Sequence, residues 1–208
     1  SFRVRDEDNL YDEPNFGPMV MPGTYYVSVA KVENGSVSPL IQPTAFTCVA
    51  LNAGTFPATD RAALEAFYAK VSELSRVASA ADNLRDELVN KVKYLKAAIL
   101  DSPKSPIDLL NEVKRVENVL KDINVKLNGD ASLTKREFEA LPGINSRIGN
   151  MQYSLWRSTQ APTETNKESF ALAAKLFAPI PDELKAIEAS ILKIEKQLEQ
   201  DGAPHTPG

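Results

Sequence analysis

Residues that commonly carry chemistry are scarce in this 208-residue sequence. The one cysteine, Cys48, excludes an intrachain disulfide, and its apolar neighbours on a predicted strand favour a buried structural thiol over a nucleophile. The one histidine, His205, lies in the C-terminal tail, so a Ser-His-Asp triad and histidine-based zinc sites are excluded. The sequence also lacks a glycine-rich phosphate loop. We therefore predict no catalytic residues and no cofactor.

Long apolar runs and an excess of positive charge are also missing. A membrane-spanning helix needs about 18 or more apolar residues in a row, and the sequence has no such run. The formal charge is -4, with 24 Lys and Arg against 28 Asp and Glu, which argues against nucleic-acid binding. The chain starts at Ser1 without a signal peptide. We interpret it as a mature or excised piece of a longer product.

The N-terminal part has the pattern of short strands. Side chains alternate between apolar and small or polar over Tyr25–Ala30, and Asn34-Gly35 is typical of a tight hairpin turn. A second strand is predicted over Ala45–Leu51, while Pro39 and Pro43 predict that the intervening segment lies at an edge or is irregular. Three or four short strands bury too little surface alone, so this sheet must pack on the helices, on a partner or on further strands.

After Asp60, a candidate N-cap, apolar residues recur every three or four positions. A first helix of about 40 residues is expected, and a second follows Ser105-Pro106. A third stripe runs from Leu141 to Leu155. A fourth begins after a predicted capping box at Thr165 and Glu168.

The fourth stripe keeps its phase across two prolines, which predicts two stacked helical pieces sharing one buried face. The residues of the four predicted stripes are Leu64, Phe67, Val71, Leu74, Ala78, Ala81, Leu84, Leu88, Val92, Leu95 and Ile99; Leu110, Val113, Val116, Leu120, Ile123 and Leu127; Leu141, Ile144, Ile148, Met151 and Leu155; and Phe170, Ala173, Phe177, Ile180, Leu184, Ile187, Ile191, Ile194 and Leu198.

These patterns predict an α+β, mainly α fold, in which a small β-sheet precedes an antiparallel four-helix bundle. We assign residues 1–58 to the sheet segment and 59–201 to the bundle. Residues 202–208 have little apolar content and are predicted to be a disordered tail.

The stretch Lys126–Leu141 has the residue spacing of a helix-loop-helix calcium site. In that alignment the ligand positions fall on Asn128, Asp130, Ser132 and Glu137. However, Lys126 would place an ammonium at the first ligand position, and Ala131 replaces the glycine of the sharp turn. We favour an ordinary helix junction, with Asn128-Gly129 ending one helix and Thr134 with Glu137 capping a short following one.

Two other candidate sites depend on clustering alone. An acidic run near the N-terminus could hold a hard cation through oxygen ligands, but such runs are more often solvated loops. Its carboxylates are Asp6, Glu7, Asp8, Asp12 and Glu13. On the third helix, Tyr153, Trp156 and Arg157 are residue types enriched at protein interfaces. The simpler interpretation, which we favour, is that they pack against the sheet or the first helix. We also expect Phe67, Tyr68 and Tyr94 of the first helix to be packing residues and not ligand contacts.

Two motifs resemble a known family. The stretch FGPMVMPGTYYVSV, residues 16–29, resembles the strand that follows the β-propeller in bacterial sortilin-like, BNR-repeat proteins, which are often labelled glycosyl hydrolases. The stretch QAPTETNKESF, residues 160–170, is similar to a helix start late in their C-terminal region. In that family an acidic-Pro signature usually links the last strand to the first helix, whereas this chain has FPATDR at residues 56–61. In that family a small immunoglobulin-like sheet leads into a C-terminal helical region, so the resemblance implies that the predicted sheet is a partial immunoglobulin-like β-sheet. The propeller is absent from this chain, and no site residue of the family maps onto it.

The resemblance implies an exported protein, periplasmic, secreted or at the cell surface, with a preceding β-propeller of the same protein as partner. Our first hypothesis is a non-catalytic accessory or interaction module that binds that propeller or another protein or a glycan. The alternative is a piece of a glycoside hydrolase or peptidase-like protein that contributes to a substrate site formed with the missing propeller. A third option is a calcium-stabilised spacer. Continuous apolar stripes could also close a bundle between chains, so an oligomer is possible.

Overall fold

The structure, a computed structural model, describes residues 20–51, 57–104 and 107–203. Within these ranges an antiparallel pair of strands precedes six helices. The elements are β1 (Gly23–Glu33), β2 (Ser36–Cys48), α1 (Arg61–Asp101), α2 (Ile107–Asn128), α3 (Ala131–Thr134), α4 (Ile144–Trp156), α5 (Glu164–Phe177) and α6 (Ile180–Gln200). The predicted α+β, mainly α fold class is confirmed. The four predicted helices correspond to α1, α2, α4 and the consecutive pair α5–α6.

The chain divides into two compact units. One contains the two strands, the residues up to Tyr68 and the segment Ser154–Ala161, and the other contains Ala69–Tyr153 and the residues from Pro162 onward. The helices α1 and α4 each run from one unit into the other. The division therefore falls inside helices, whereas the predicted segments 1–58 and 59–201 meet before α1 begins.

In the first unit, a buried tyrosine satisfies the end of α4. The hydroxyl of Tyr68 donates to the carbonyl of Leu155 at 2.5 Å and lies 3.1 Å from the carbonyl of Ser158. The last carbonyls of a helix have no partner within the helix, so this hydroxyl supplies one from outside it. Burial raises the pKa of Tyr68 above its ordinary value of 10.0. The predicted packing of Tyr68 is confirmed, since 4% of its surface is exposed, although the predicted stripe of α1 used its neighbour Phe67, which is half-buried.

In the second unit, α1 and α2 run antiparallel. Lys96, near the end of α1, forms an ion pair with Glu117 in the middle of α2. Asp82, further back in α1, accepts a hydrogen bond from Asn128 at the end of α2. The contact that lies nearer the start of α1 is the one that lies nearer the end of α2. The two helices therefore run in opposite directions.

The helices α2 and α6 are also antiparallel. The ammonium group of Lys126, near the end of α2, lies 2.8 Å from the carboxylate of Glu183 in the first turn of α6. Lys104, just before α2, lies 3.8 Å from Asp201, which follows the last turn of α6. The second unit therefore has the up-and-down arrangement that the sequence predicts for neighbouring helices.

The core is built from the predicted apolar stripes, with a few changes of residue. In α2 the buried residue is Leu109 instead of Leu110. The prediction that Leu141 belongs to the stripe of α4 is wrong, because this residue lies before the helix and is 86% exposed. Tyr94, predicted to pack, is 50% exposed. Fully buried aliphatic side chains include Leu95, Ile99, Leu120, Ile123, Leu127, Ile144, Ile180, Leu184, Ile191 and Ile194. These residues come from several helices, so the apolar faces meet instead of facing water.

Most predicted helix ends are confirmed, and one is shifted. The amide of Ala63 donates to the Asp60 carboxylate at 2.9 Å, so Asp60 is the N-cap of α1. The predicted capping box of α5 at Thr165 is wrong, because Thr163 is the N-cap and its hydroxyl accepts from the amide of Asn166. Pro162 comes immediately before Thr163, and because the residue before a proline avoids the helical conformation, the helix does not begin further upstream.

The predicted break at the two prolines is confirmed. α5 ends at Phe177, α6 begins at Ile180, and Pro181 occupies the first turn of α6, where a missing amide hydrogen costs nothing. At the other end of α6, Gly202 has a φ of 73° and the amide of Ala203 bonds to the carbonyl of Leu198. This pattern is a Schellman cap. The first two residues of the predicted tail thus belong to the helix end, and the rest lie outside the described residues.

The ion pair of Glu117 predicts a pH-dependent stability. The hydrogen bond from Lys96 lowers the pKa of Glu117 from the ordinary 4.5, and the ammonium group of Lys121 adds to this. A carboxylate whose pKa is lowered on folding stabilises the protein above its unfolded pKa, and this contribution is lost as the pH falls through the folded pKa.

We therefore expect Glu117→Gln to lower the melting temperature at neutral pH and this difference to shrink as the pH falls below 4.5. Thermal unfolding of both proteins across that range measures it, with Glu112→Gln, at an exposed position of the same helix, as the control. A difference that does not change with pH would show that the ion pair does not contribute.

Candidate interaction surfaces

The hairpin of β1 and β2 is the most unusual surface of the described chain. Asn34 and Gly35 have φ angles of 51° and 78°, the left-handed pair that a two-residue hairpin turn requires. Near the open end, Tyr25 lies opposite Phe46 with ring centroids 6.0 Å apart. The Tyr25 hydroxyl also donates to the carbonyl of Met21 at 2.8 Å. The predicted strand and turn are thus confirmed, although the second strand starts earlier than predicted and ends at Cys48, which is half-buried.

The apolar face of the hairpin changes sides halfway along. Tyr25, Val27 and Val29 share one face, since side chains alternate along a strand, and their partners on β2 are Phe46, Thr44 and Ile41. Beyond Val29 that face carries Lys31 and Glu33, which form an ion pair at 2.8 Å. Near the turn, the opposite face is the apolar one, with Val32 opposite Val37. Neither face is apolar along its whole length.

Both faces are open to solvent. The large apolar side chains of both strands are exposed, from 46% for Val29 to 70% for Tyr26. The others are Val27, Val32, Val37, Leu40, Ile41 and Phe46. Sheets normally bury at least one face against another layer. Among the described residues, nothing covers either side of this hairpin.

The two edges of the hairpin differ. The register of β2 against β1 shifts twice, once between Val27 and Val29 and once between Val29 and Ala30, and the two shifts fall beside Pro43 and Pro39. Proline cannot donate to a strand ladder, and bulges disturb a straight edge, so the outer edge of β2 is a poor template for a further strand. β1 contains no proline over its 11 residues. The outer edge of β1 is therefore the one that another strand could extend.

The predicted interface residues Tyr153, Trp156 and Arg157 lie at the end of α4 and just after it. Their spacing of three and four positions places them on one face of the helix. Tyr153 is 61% exposed, Arg157 is exposed and Trp156 is half-buried. The predicted packing therefore agrees better with the half-buried Trp156 than with the exposed Tyr153. A binding role for these three residues stays a prediction.

The predicted cation ligands of the helix junction do not converge. Asp130 is the N-cap of the short helix α3, and its carboxylate accepts from the amides of Ser132 and Leu133. The side-chain amide of Asn128 instead bonds to Asp82 and Asn124. Glu137 follows α3 with a φ of 59°. The predicted cap at Asn128-Gly129 is confirmed, since Gly129 has a φ of 84°, but the predicted capping box at Thr134 and Glu137 is wrong, because the short helix begins at Asp130.

The side chains around Asn128 form a network that the sequence patterns did not predict. Its amide donates to both carboxylate oxygens of Asp82 at 3.2 Å, and the amide of Asn145 bonds to Asp82 and to Asn128. Arg85 forms an ion pair with the same aspartate at 2.8 Å. Three helices, α1, α2 and α4, are thus joined by hydrogen bonds at one level. The sequence feature that indicates such a network is the charged residue Arg85, which interrupts the apolar stripe of α1.

The other acidic candidates cannot be placed. Asp6, Asp8 and Asp12 lie outside the described residues, as does His205. Within the described ranges, no group of three His, Cys, Asp or Glu side chains is arranged to hold a metal ion. No described helix is both long enough and apolar enough to cross a bilayer.

Comparison of the chain with protein-family models, with curated proteins and with solved structures found no match.

Proposed function

We propose that this chain is a non-catalytic interaction module of an exported protein, and that its hairpin docks on a partner domain that supplies a further strand along β1. The observation that carries the proposal is the exposure of large apolar side chains on both faces of a two-stranded sheet. An isolated two-stranded hairpin is marginally stable in water. A partner that covered it would stabilise the hairpin and gain affinity from the same contacts.

The face formed by Tyr25, Val27 and Val29 is the one we assign to this partner. Its neighbours Phe46 and Ile41 continue the apolar surface onto β2. Burying a valine or isoleucine side chain contributes about 1.5–3 kcal/mol. A strand added beside β1 would cover part of this surface and would also pair the free backbone groups of that edge.

The partner that we favour is the preceding domain of the same protein, a β-propeller according to the motif resemblance of residues 16–29. Docking within one chain requires only moderate intrinsic affinity, because the link holds the two surfaces at a high effective concentration. A separate protein or a glycan is the other outcome that the experiment below distinguishes.

Hydrogen exchange tests the proposal by comparing this chain with the longer protein that its complete reading frame encodes. We expect the outward amides of β1 to exchange at least about tenfold more slowly in the longer protein, since pairing removes them from solvent. Amides in the middle of α6 serve as the internal control. Equal exchange of β1 in both proteins would contradict docking in the same chain, and protection that appears only on adding a separate protein or glycan would assign the partner to that molecule.

A matched pair of substitutions tests which face is covered. Val29→Lys places a charge on the apolar face and is expected to restore fast exchange of β1 in the longer protein. Ser28→Lys, at the next position and on the opposite face, is expected to leave the protection in place. The reverse order would assign the partner to the other face.

The hydrolase alternative stays a prediction, and a glycan and peptide turnover screen tests it. Turnover of a glycan or a peptide by the 208-residue chain itself would refute the non-catalytic proposal. Turnover by the longer protein that is lost when these residues are removed would favour the alternative.

A further inference from the structure

A groove of about 400 Å³ lies in the helical unit, where α2 and α5 meet the chain between α3 and α4. Its wall combines side chains of two long helices with a turn of irregular backbone. The lining residues are Val125 and Lys126 of α2, Asp130 and Leu133 at α3, residues 139–143, Arg147 of α4 and Leu176 of α5. A volume of this size admits two or three side chains of a bound chain.

The wall of the groove is largely apolar and partly open. Val125 is 44% exposed, Leu133 37%, Leu176 41% and Leu141 86%. Leu172, one helical turn before Leu176, is 41% exposed and extends the apolar surface along α5. Leucine and valine side chains left half in water at the mouth of a groove favour a ligand with apolar side chains of its own.

The charged groups of the groove differ in how they are satisfied. The ammonium group of Lys126 pairs with Glu183, and the carboxylate of Asp130 caps α3. Glu139 is exposed at the rim. The Nε–H of Arg147 is buried and has no hydrogen-bond acceptor among the described residues. A charged donor group without an acceptor is unfavourable, so an acceptor that enters the groove beside this guanidinium group would be favoured.

We propose that this groove binds a short acidic peptide segment, whose apolar side chain packs against Val125, Leu133 and Leu176 while a neighbouring carboxylate pairs with Arg147. Arginine suits this task because its planar guanidinium group bonds a carboxylate through two parallel hydrogen bonds. The apolar wall supplies affinity, and the arginine selects a ligand with a negative charge at one position. This site uses different residues from the hairpin, so it adds a second binding surface and does not rest on the proposed function.

A peptide array provides the probe. It displays short peptides in which one glutamate lies beside leucine or phenylalanine, each next to the same peptide with glutamine in place of glutamate. Peptides that bind are then measured by fluorescence polarisation with the wild-type chain and with Arg147→Gln, Leu176→Ser and the control Arg115→Gln. Arg115 is an exposed arginine of α2 outside the groove, so this control matches the loss of charge.

We expect glutamate peptides to bind at least about tenfold more tightly than their glutamine counterparts, which corresponds to about 1.4 kcal/mol. Arg147→Gln should remove this preference, Leu176→Ser should weaken both kinds of peptide, and Arg115→Gln should change neither. Circular dichroism confirms that each variant is folded. The proposal is overturned if no glutamate peptide binds, if glutamine peptides bind equally well, or if Arg147→Gln binds as the wild type does. Binding of a free fatty acid in preference to every peptide would also overturn it.

Discussion

Gly143→Ala is expected to destabilise the helical unit strongly. A Cβ atom at Gly143 would lie 2.6 Å from the backbone nitrogen of Gly129 and from the carbonyl oxygen of Leu127. Both atoms belong to the backbone at the end of α2, so they cannot move aside as a flexible side chain would. Forcing extra volume into such a site typically costs about 1–3 kcal/mol, and rigid backbone neighbours place this substitution at the upper end.

The measurement is thermal or denaturant unfolding against a matched glycine. A loss of about 3 kcal/mol lowers the melting temperature of a chain of this size by roughly 6–12 °C. Gly149 lies within α4, and a Cβ atom there would meet nothing within 4 Å. Gly149→Ala is therefore expected to stabilise the protein by about 0.5–1 kcal/mol, because alanine favours the helix more than glycine does. Equal effects at the two positions would contradict the close approach at Gly143.

The apolar patterns predicted the helices well because each one depends on contacts that repeat along the chain. Every helix that buries one face must place an apolar side chain there at each turn, as Leu120, Ile123 and Leu127 do in α2. The helix ends at Asp60 and Gly129 were also predictable, since capping depends on neighbouring residues alone.

Contacts between distant residues could not be predicted in the same way. Gly143 comes within contact distance of Gly129 because the chain turns back on itself, and the sequence around a glycine does not tell which backbone it will approach. The hydrogen bonds that join Asp82 to Asn128 and Asn145 likewise require three helices to be aligned first. The groove beside Arg147 was missed for the same reason, since its walls come from separate elements.

The hairpin lies between these two cases. Its turn and its first strand follow from Asn34-Gly35 and from the alternating side chains of β1. The partners of β1 on β2 depend on two register shifts, and the prolines indicated an irregular edge without giving the position of either shift. Local chemistry therefore predicted that β2 is imperfect, while the pairing itself determined which side chains share a face.

Ile194→Ala is expected to destabilise the helical unit strongly. Ile194 has 0% of its surface exposed and belongs to a stripe that includes Ile187 and Ile191. Removing a buried isoleucine side chain to alanine costs about 2–5 kcal/mol, since the lost transfer free energy is joined by the cost of a cavity. We expect about 3 kcal/mol, measured as a shift of the denaturant midpoint with an unchanged slope.

Leu192→Ala is the matched control, because it removes a similar volume two positions away in the same helix. Leu192 is 54% exposed, so its truncation leaves no cavity and is expected to change stability by less than about 1 kcal/mol. The contrast between the two variants tests the physical basis of the whole helical unit, in which one face of α6 is buried and the other meets water. If Leu192→Ala were as damaging as Ile194→Ala, that other face would also have to be covered, as it would be in an assembly of several chains.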